Sequence, residues 1–531
     1  MEYVNISGLK KSYDRPIFEN ANLSVNKGDR IALIGQNGRG KTTLIKIITG
    51  LEDYEGGTVR KKSNLLIVYA PQVWELDAKK TSRDVLKTMD ARLAEINNIL
   101  ADPKTYEFQD RMNRVLVEYD TIVSSSRKPN EKRFYEILEA MGFQEEDYDL
   151  TISNLSSGQK TKLSLARALS QEGDFYILDE PTNHLDLPSR EWLEDYLNKL
   201  DTLLMVSHDK QFINNVSNKI VELDDGRLKS YSGNYETYLE EKSKDLKRRT
   251  DLYEQQQEEV KRLRESARIK AIWVQQGAVK LGRTVRSIRK RADRLERGAI
   301  EKPRDTTGKM RLNLKEDKRG STEMVEFENV SKGYKHRHII DDFNEVIYRG
   351  DKIALLGPNG HGKSTLIKMI LGEEPFEGSI KRGQNVKISY YDQELNTLNN
   401  EKTILDEIYV SSGSMDEGKA RGLLASMLFK GDDVLKKIGK LSLGERSRVM
   451  LSKFMAERSN FLIIDEPLNN LDIVSGELLQ RGLQNYDGTL LTVSHDRSFI
   501  NGLCNKIWYL ENGMIHTFNG NYDLFKEYYE E

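Results

Sequence analysis

The 531-residue chain contains one cysteine and no long apolar run, and these two absences exclude several classes of protein. A single thiol can form neither an intrachain disulfide nor a thiolate metal cluster. No apolar stretch approaches the roughly 18 residues that a membrane-spanning helix needs. The first residues, MEYVNISG, lack the pattern of a signal peptide. The composition therefore predicts a globular, cytoplasmic protein with no membrane partner.

The net charge is also small, at −2, but it is distributed unevenly. Residues 241–322 hold 25 Lys and Arg against 13 Asp and Glu, a net charge of +12, so the remaining residues carry −14. A basic segment between two acidic regions indicates that the segment has an anionic partner.

Two nine-residue stretches have the pattern of a phosphate-binding loop, GxxxxGK[ST]. Each lies between an apolar run typical of a strand and an apolar run with helical spacing. There the glycines let backbone N–H groups converge on phosphates, the lysine reaches the β- and γ-phosphates, and the next hydroxyl binds Mg²⁺. Two such loops predict two sites for ATP with Mg²⁺. The loops are Gly35, Gln36, Asn37, Gly38, Arg39, Gly40, Lys41, Thr42 and Thr43, and Gly357, Pro358, Asn359, Gly360, His361, Gly362, Lys363, Ser364 and Thr365.

Further motifs accompany both loops in the same order, which indicates a duplicated domain. A tyrosine precedes each loop and either stacks on adenine or packs on a strand; its recurrence favours stacking. A strand-end glutamine follows, which either contacts Mg²⁺ or only caps its strand. Then come an LSxG(Q/E) segment, a buried strand ending in two carboxylates suited to a metal and a water, and a strand-end histidine. These residues are Tyr13, Gln72, Ser156, Gly158, Asp179, Glu180 and His208, then Tyr334, Gln393, Ser442, Gly444, Asp465, Glu466 and His495.

The first half contains an insertion that the second half lacks. Gln72 and Leu155 are 83 positions apart, whereas Gln393 and Leu441 are 48 positions apart. Helical spacing within the additional residues predicts a helical arm at about 90–130. The arm either contacts a partner or is a structural decoration.

The basic segment predicts a helical hairpin. A charged stretch indicates a first helix to about Ile272, with apolar residues at a seven-residue spacing that suggests a weak coiled-coil seam. The seam is Leu239, Leu246, Tyr253, Val260 and Ala267. After a tip at 273–282, the pattern predicts a second helix with an apolar face opposite a basic face. At 100° per residue, the basic side chains fall within about 80° of arc. The basic residues are Arg283, Arg286, Lys290, Arg294 and Arg297. They form either a solvated face or an RNA contact; a row of like charges favours RNA.

In this order and twice over, the motifs resemble those of ATP-binding-cassette (ABC) ATPases. Two cassettes joined by a basic hairpin of about 80 residues resemble, more narrowly, the ABC-F family. The resemblance implies an α/β fold with two P-loop ABC ATPase domains joined by a long α-helical hairpin linker. The domains would be 1–238, 239–322 and 323–531.

The resemblance also implies residue roles and a partner. In one monomer the cassettes would pack head to tail, with each ATP between a phosphate loop and the other cassette's LSxG segment. Asp179 and Asp465 would hold Mg²⁺, the glutamate after each would polarise water, and the histidines would sense the γ-phosphate. ABC-F proteins bind the ribosome near the tRNA exit site, meeting large-subunit rRNA and tRNA. They include translation factors and antibiotic-resistance proteins.

The sequence also leaves open whether the two ATP sites are equivalent and whether the protein has one of two other functions. Leu468 and Asn470 replace the Thr and His of the first EPTNHLD segment. The second glycine of the family signature is Ser157 in the first copy and Leu443 in the second, so equal turnover at the two sites is not expected. A tandem-cassette ATPase subunit of a membrane transporter would explain the ATP chemistry but not the basic hairpin. A DNA-acting ATPase with a coiled coil usually carries that coil inside a cassette rather than between two.

Overall fold

The computed structural model describes residues 1–13, 16–72, 79–85, 130–276, 279–297, 312, 314, 320–334, 337–392, 395, 397–413, 415–469 and 471–530. They form two compact units. One unit contains the described residues up to 234, here called cassette 1, together with those from 320 onward, called cassette 2. The other unit is the helical segment that begins at Tyr235.

Cassette 1 contains a six-stranded sheet in the order β5-β6-β7-β3-β8-β9 and a three-stranded antiparallel sheet in the order β2-β1-β4. The strands are β1 (Glu2–Ser12), β2 (Pro16–Asn26), β3 (Arg30–Ile34), β4 (Gly56–Lys61), β5 (Ile67–Ala70), β6 (Phe175–Asp179), β7 (Leu203–Val206), β8 (Lys219–Asp224) and β9 (Arg227–Ser232). Strands β6 and β7 are buried along their whole length, as expected for parallel strands covered on both faces.

The described helices of cassette 1 follow its strands. They are α1 (Lys41–Thr49), α2 (Glu131–Ala140), α3 (Ser157–Leu169), α4 (Leu187–Leu197) and α5 (Lys210–Val216). Gly40 caps the start of α1, and its φ of 106° and close approach to Ile17 leave no room for a Cβ atom. The tight turn from β3 into α1 brings the phosphate loop to the carboxyl edge of the sheet.

Cassette 2 repeats this topology, which confirms the predicted duplication. Its sheets have the orders β14-β15-β16-β12-β17-β18 and β11-β10-β13. The strands are β10 (Glu323–Tyr334), β11 (Arg337–Tyr348), β12 (Lys352–Leu356), β13 (Glu377–Arg382), β14 (Ile388–Tyr391), β15 (Phe461–Asp465), β16 (Thr489–Val493), β17 (Lys506–Glu511) and β18 (Met514–Asn519). The helices are α8 (Lys363–Leu371), α9 (Ile404–Ser412), α10 (Glu417–Ser426), α11 (Leu443–Glu457), α12 (Ile473–Gln484), α13 (Arg497–Leu503) and α14 (Tyr522–Glu530).

The second unit is a helical hairpin, as predicted. Its helices are α6 (Tyr235–Gln275), three residues longer than expected, and α7 (Gly282–Arg297). The proposed seam is buried at Val260 and Ala267 but exposed at Leu239 and Leu246. The seam prediction is therefore wrong at those two leucines. A seven-residue spacing marks one side of a helix, but burial depends on what packs against that side.

Several predictions concern residues outside the described ranges. They are the arm at about 90–130 apart from Asn130, the strand-end Gln393, the substituted Asn470, and positions 277 and 278 of the hairpin tip. Among the helices described, none has the length and apolar character needed to cross a bilayer.

Candidate ATP sites and basic face

The two phosphate loops have the same local geometry. In each, the lysine is buried and its ammonium group folds back over the loop: Lys41 Nζ donates to Gly35 O at 2.8 Å, and Lys363 Nζ donates to Gly357 O at 2.6 Å. Burial lowers the pKa of both lysines, while carboxylates opposite them act in the other direction. A loop that encloses a cation under converging N–H groups is suited to a polyphosphate.

The hydroxyl after each lysine lies against the last residue of the neighbouring strand. Thr42 Oγ1 donates to Asp179 Oδ2 at 2.9 Å, and Ser364 makes a hydrogen bond with Asp465. Burial raises the pKa of both aspartates, to about 6 for Asp465. A hydroxyl beside a buried carboxylate is the donor set that Mg²⁺ takes next to a nucleotide, so these residues fit that ion.

Each predicted catalytic glutamate occupies a strained position at the end of its strand. The φ angles are 52° at Glu180 and 47° at Glu466, a region that non-glycine residues seldom adopt. Hydrogen bonds from Glu180 N to Val206 O at 2.8 Å and from Glu466 N to Val493 O at 2.9 Å hold this geometry. Burial raises the pKa of both glutamates to about 8. The positive charge of Lys41 lowers the pKa of Glu180, and that of Arg190 lowers the pKa of Glu466, but burial outweighs both.

The strand-end histidines face these glutamates. His208 Nε2 lies 3.1 Å from Glu180 Oε1, and His495 Nε2 lies 3.5 Å from Glu466 Oε1. Burial lowers the pKa of both histidines, to about 3 at His208, so both rings are neutral at pH 7. Within the described residues, Glu180 Oε2 and both histidine Nδ1 atoms are buried without a hydrogen-bond partner. Such atoms at the strand ends of each cassette are compatible with sites that hold a further polar group.

The two cassettes meet head to tail. Asn359 of the second phosphate loop donates from Nδ2 to His184 O of cassette 1 at 2.9 Å, and a Cβ atom on Gly158 would lie 2.6 Å from that amide nitrogen. In the reciprocal contact, Asn37 N lies 3.4 Å from Asp472 Oδ2. The signature of cassette 1 therefore lies against the phosphate loop of cassette 2.

The signature serines begin helices in both cassettes. Ser156 and Ser442 are the N-caps of α3 and α11, each in a capping box with Gln159 or Glu445. The helix N-terminus that they form presents unpaired N–H groups and a positive dipole end, a suitable environment for a phosphate. Leu443, which replaces a signature glycine, is exposed at the start of α11.

The remaining predicted site residues lie in matching places where they are described. Tyr13 and Tyr334 are both exposed, and their hydroxyls donate to Glu52 Oε1 at 2.9 Å and Glu374 Oε1 at 2.6 Å. Both rings therefore present a face to solvent, on which a base can stack. Gln72 is exposed just beyond β5.

Sequence reasoning missed a buried polar group at this interface. Lys162 on α3 forms a 3.0 Å ion pair with Asp186, the last residue of EPTNHLD, and Asp186 Oδ2 lies 3.5 Å from Asn359 N. Burial opposes ionisation of Asp186, but the charge of Lys162 and hydrogen bonds outweigh it and bring the pKa to about 2. The recurrence of this aspartate in both copies was the available signal.

The basic face of α7 is exposed, whereas the opposite face packs on α6. Val285 and Ala292 are buried. Arg291 and Arg264, outside the basic row, form ion pairs with glutamates of the facing helix. The basic row itself, Arg283, Arg286, Lys290, Arg294 and Arg297, is exposed and forms no ion pair among the described residues. These five charges are therefore available to an anionic partner.

Comparisons with known protein families match nearly the whole chain. A family model described as "ABC transporter" matches residues 18–183 and 340–469, and a second with the same description matches 221–313. "Putative ATP-binding protein YdiF" of Bacillus subtilis is 35% identical over 99% of this chain and 83% of the relative. "ABC transporter F family member 5" of Arabidopsis thaliana is 33% identical over 99% of this chain and 77% of the relative. "Energy-dependent translational throttle protein EttA" of Escherichia coli is 33% identical over 97% of this chain and 93% of the relative.

Solved structures share the fold at low sequence identity. "RNase-L Inhibitor" superimposes with a TM-score of 0.62 at 18% identity, over 98% of this chain and 92% of that one. "Model of ribosome-bound archaeal Pelota and ABCE1" gives a TM-score of 0.60 at 18% identity, over 96% and 78%. At this level of identity the likeness concerns the fold alone.

Proposed function

Because this chain belongs to the ABC-F family of ATP-binding-cassette ATPases and is an ATP hydrolase with tandem cassettes, we propose that it acts on the ribosome. In this proposal it binds near the tRNA exit site, and its basic linker acts on tRNA and the peptidyl-transferase centre. ATP hydrolysis then drives its release. It serves as a translation factor or as an antibiotic-resistance protein that protects the ribosome. The name of the related EttA, a translational throttle protein, supports a role in translation.

We infer two composite ATP sites. Site 1 contains the phosphate loop of Lys41 with Asp179, Glu180 and His208, completed by Ser442 and Gly444 of cassette 2. Site 2 contains the phosphate loop of Lys363 with Asp465, Glu466 and His495, completed by Ser156 and Gly158 of cassette 1. Support comes from the reciprocal contacts of Asn37 and Asn359 with the opposite cassette.

At each site the residues have separate tasks. The phosphate loop binds and orients the polyphosphate, and the signature closes over it from the opposite cassette. With Thr42 and Asp179, or Ser364 and Asp465, as its ligands, Mg²⁺ would neutralise phosphate charge. The glutamate accepts a hydrogen bond from the attacking water and orients it for in-line attack, and the histidine beside it holds the carboxylate.

One observation supports the ribosomal role most directly, and it is the exposed row of five basic side chains on α7. A solvated helix usually mixes charges of both signs, as α6 does through its ion pairs within the helix. A row of four arginines and one lysine that form no ion pair among the described residues suits a phosphate backbone, since guanidinium groups bind phosphate oxygens in pairs. We therefore assign the RNA contact to this face.

The test is ribosome binding by a triple variant, Arg286→Gln, Lys290→Gln and Arg294→Gln, measured by co-sedimentation over a series of salt concentrations. We expect weaker binding and a slope of log affinity against log salt that flattens by up to about 0.7–0.9 for each lost phosphate contact. ATPase activity without ribosomes should not change, because the row lies in the other compact unit.

The matched control removes three arginines from α6. Arg248, Arg262 and Arg268 lie near acidic side chains of their own helix, at 3.0, 3.6 and 3.9 Å. Their replacement by Gln changes the net charge equally but should affect the salt slope less. If the α7 variant binds ribosomes like the wild type at every salt concentration, the assignment of the RNA contact is wrong.

A further inference from the structure

One ion pair between the cassettes has a counterpart in the opposite direction, as expected for a duplicated chain. Lys210 Nζ of cassette 1 lies 2.9 Å from Glu477 Oε1 of cassette 2. The equivalent residues of the two copies, Arg497 and Glu191, lie 3.0 Å apart in the opposite direction. The two copies therefore contact each other almost symmetrically around this part of the interface.

Arg190 breaks this symmetry. Its guanidinium is buried and holds three acceptors: Nε donates to Leu185 O at 3.0 Å, and Nη1 lies 3.0 Å from Asp209 Oδ2 and 2.9 Å from His495 O. The first two acceptors belong to its own cassette, while His495 belongs to cassette 2. One side chain thus joins the segment after EPTNHLD in cassette 1 to the backbone of the histidine in the opposite cassette.

The second copy has no equivalent side chain. EPTNHLDLPSR aligns with EPLNNLDIVSG, so Gly476 occupies the position of Arg190. A small cavity lies beside Gly476 and is lined also by His208 and Lys210 of cassette 1. Leu468 is one of the divergent residues, and its Cδ2 atom lies 3.1 Å from where a Cβ of residue 476 would be, so it crowds the space that a longer side chain needs.

We propose that Arg190 is a positioning residue for site 2, which holds the histidine of cassette 2 in place from cassette 1, and that site 1 lacks the reciprocal device. This inference rests on the proposed roles of Glu466 and His495. Its consequence is that turnover at site 2 depends on a side chain of the opposite cassette, whereas turnover at site 1 depends on no such arginine.

The physical argument concerns the backbone of His495. The hydrogen bond from Arg190 restrains its carbonyl, and the ring of the same residue lies 3.5 Å from Glu466 Oε1. A rotation of this peptide would move the ring away from the carboxylate that orients water, and small misplacements of this kind are costly for catalysis. A buried, charge-assisted hydrogen bond is stronger than a neutral one, so its loss is expected to have a measurable effect.

The test measures each site separately. Glu180→Gln leaves site 2 as the active site, and Glu466→Gln leaves site 1. Arg190→Gln is introduced into both backgrounds, and kcat and KM for ATP are determined. In the Glu180→Gln background we expect kcat to fall about tenfold with KM nearly unchanged, because the phosphate loop is intact. In the Glu466→Gln background we expect the factor by which kcat falls to be at least about five times smaller than in the Glu180→Gln background.

A purely structural role of Arg190 predicts equal losses of kcat in the two backgrounds. Because loss of Arg190 also removes the ion-pair partner of Asp209, thermal unfolding is measured for every variant. If Arg190→Gln does not fold, Arg190→Lys, which keeps a buried cation but not the three-way geometry, is used in both backgrounds with the same expectation. Equal losses of kcat at the two sites, or no loss at site 2, would overturn the inference.

The failure of this inference can be separated from the failure of the proposed ATP sites. If Glu180→Gln together with Glu466→Gln still hydrolyses ATP at the wild-type rate, the proposed roles of these glutamates are wrong, whatever Arg190 does. If that double variant is inactive and each single variant keeps partial activity, the comparison of the two backgrounds tests Arg190 alone.

Discussion

Replacing Gly158 by alanine should disrupt the contact between the signature of cassette 1 and the phosphate loop of cassette 2. A Cβ atom at this position would lie 2.6 Å from Asn359 Nδ2 and 2.7 Å from His184 O. Those two atoms form a hydrogen bond of 2.9 Å across the interface. The new methyl group would intrude on both partners, and one of them is a backbone atom that cannot rotate away.

The expected cost to the closed interface has two parts that add. Overpacking of this kind costs about 1–3 kcal/mol, and loss of the hydrogen bond adds about 1 kcal/mol. The helix propensity that alanine adds in the first turn of α3 does not enter this sum, because a helix formed in both the open and the closed state gains it equally. The net cost is therefore roughly 2–4 kcal/mol, which corresponds to about a 30- to 800-fold loss of the closed population.

The assay is ATP hydrolysis in the Glu180→Gln background, where site 2 is the active site, together with thermal unfolding. Gly422→Ala is the matched control. Gly422 also lies in a helix, α10, but a Cβ atom there has no neighbour within 4 Å. The control should keep its activity and gain roughly 0.5–1 kcal/mol of stability. If Gly158→Ala behaves like this control, the head-to-tail contact described here is not needed for hydrolysis.

Two further predictions concern the sites and their supports. Changing Glu180 and Glu466 together to Gln should leave ATP binding intact but lower hydrolysis by at least about 100-fold, because the attacking water loses its carboxylate. The protein should then accumulate on ribosomes. Hydrolysis at the wild-type rate would contradict the assignment of these glutamates. Lys162→Met leaves Asp186 buried without its ion-pair partner, so it should lower the free energy of unfolding by about 3–5 kcal/mol at pH 7. The control is Lys132→Met at an exposed ion pair, which should change the free energy of unfolding by less than about 0.5 kcal/mol. Since the folded pKa of Asp186 is lowered to about 2, the Lys162 pair stabilises the fold above about pH 4 and this contribution is lost as the pH falls towards 2. The difference between the wild type and Lys162→Met should therefore shrink over that range in denaturant titrations, and a constant difference would argue against the pair as its source.

The sequence by itself determined the chemistry of each cassette and the order of its elements. Glycine loops, buried strands that end in carboxylates and capped helix starts depend on residues a few positions apart. Local backbone geometry and periodicity therefore predict them. The expected strand before each phosphate loop, the helix after it and the two faces of α7 are all present.

The same local reasoning failed where burial depends on a partner segment. A seven-residue spacing indicates which side of α6 is apolar, but it does not indicate which positions on that side a partner covers. Leu239 and Leu246 continue the spacing of Val260 and Ala267, and yet they are exposed.

The family resemblance predicted a head-to-tail arrangement, but only the tertiary structure decided which side chains meet across it. The hydrogen bond from Arg190 to His495 joins residues 305 positions apart, and the one from Asn359 to His184 joins residues 175 apart. Such contacts depend on how two folded surfaces dock, and no local pattern encodes that docking. In the sequence, Arg190 and Gly476 are an ordinary difference between two repeats, whereas in the structure only one of the two positions carries a side chain that reaches across the interface.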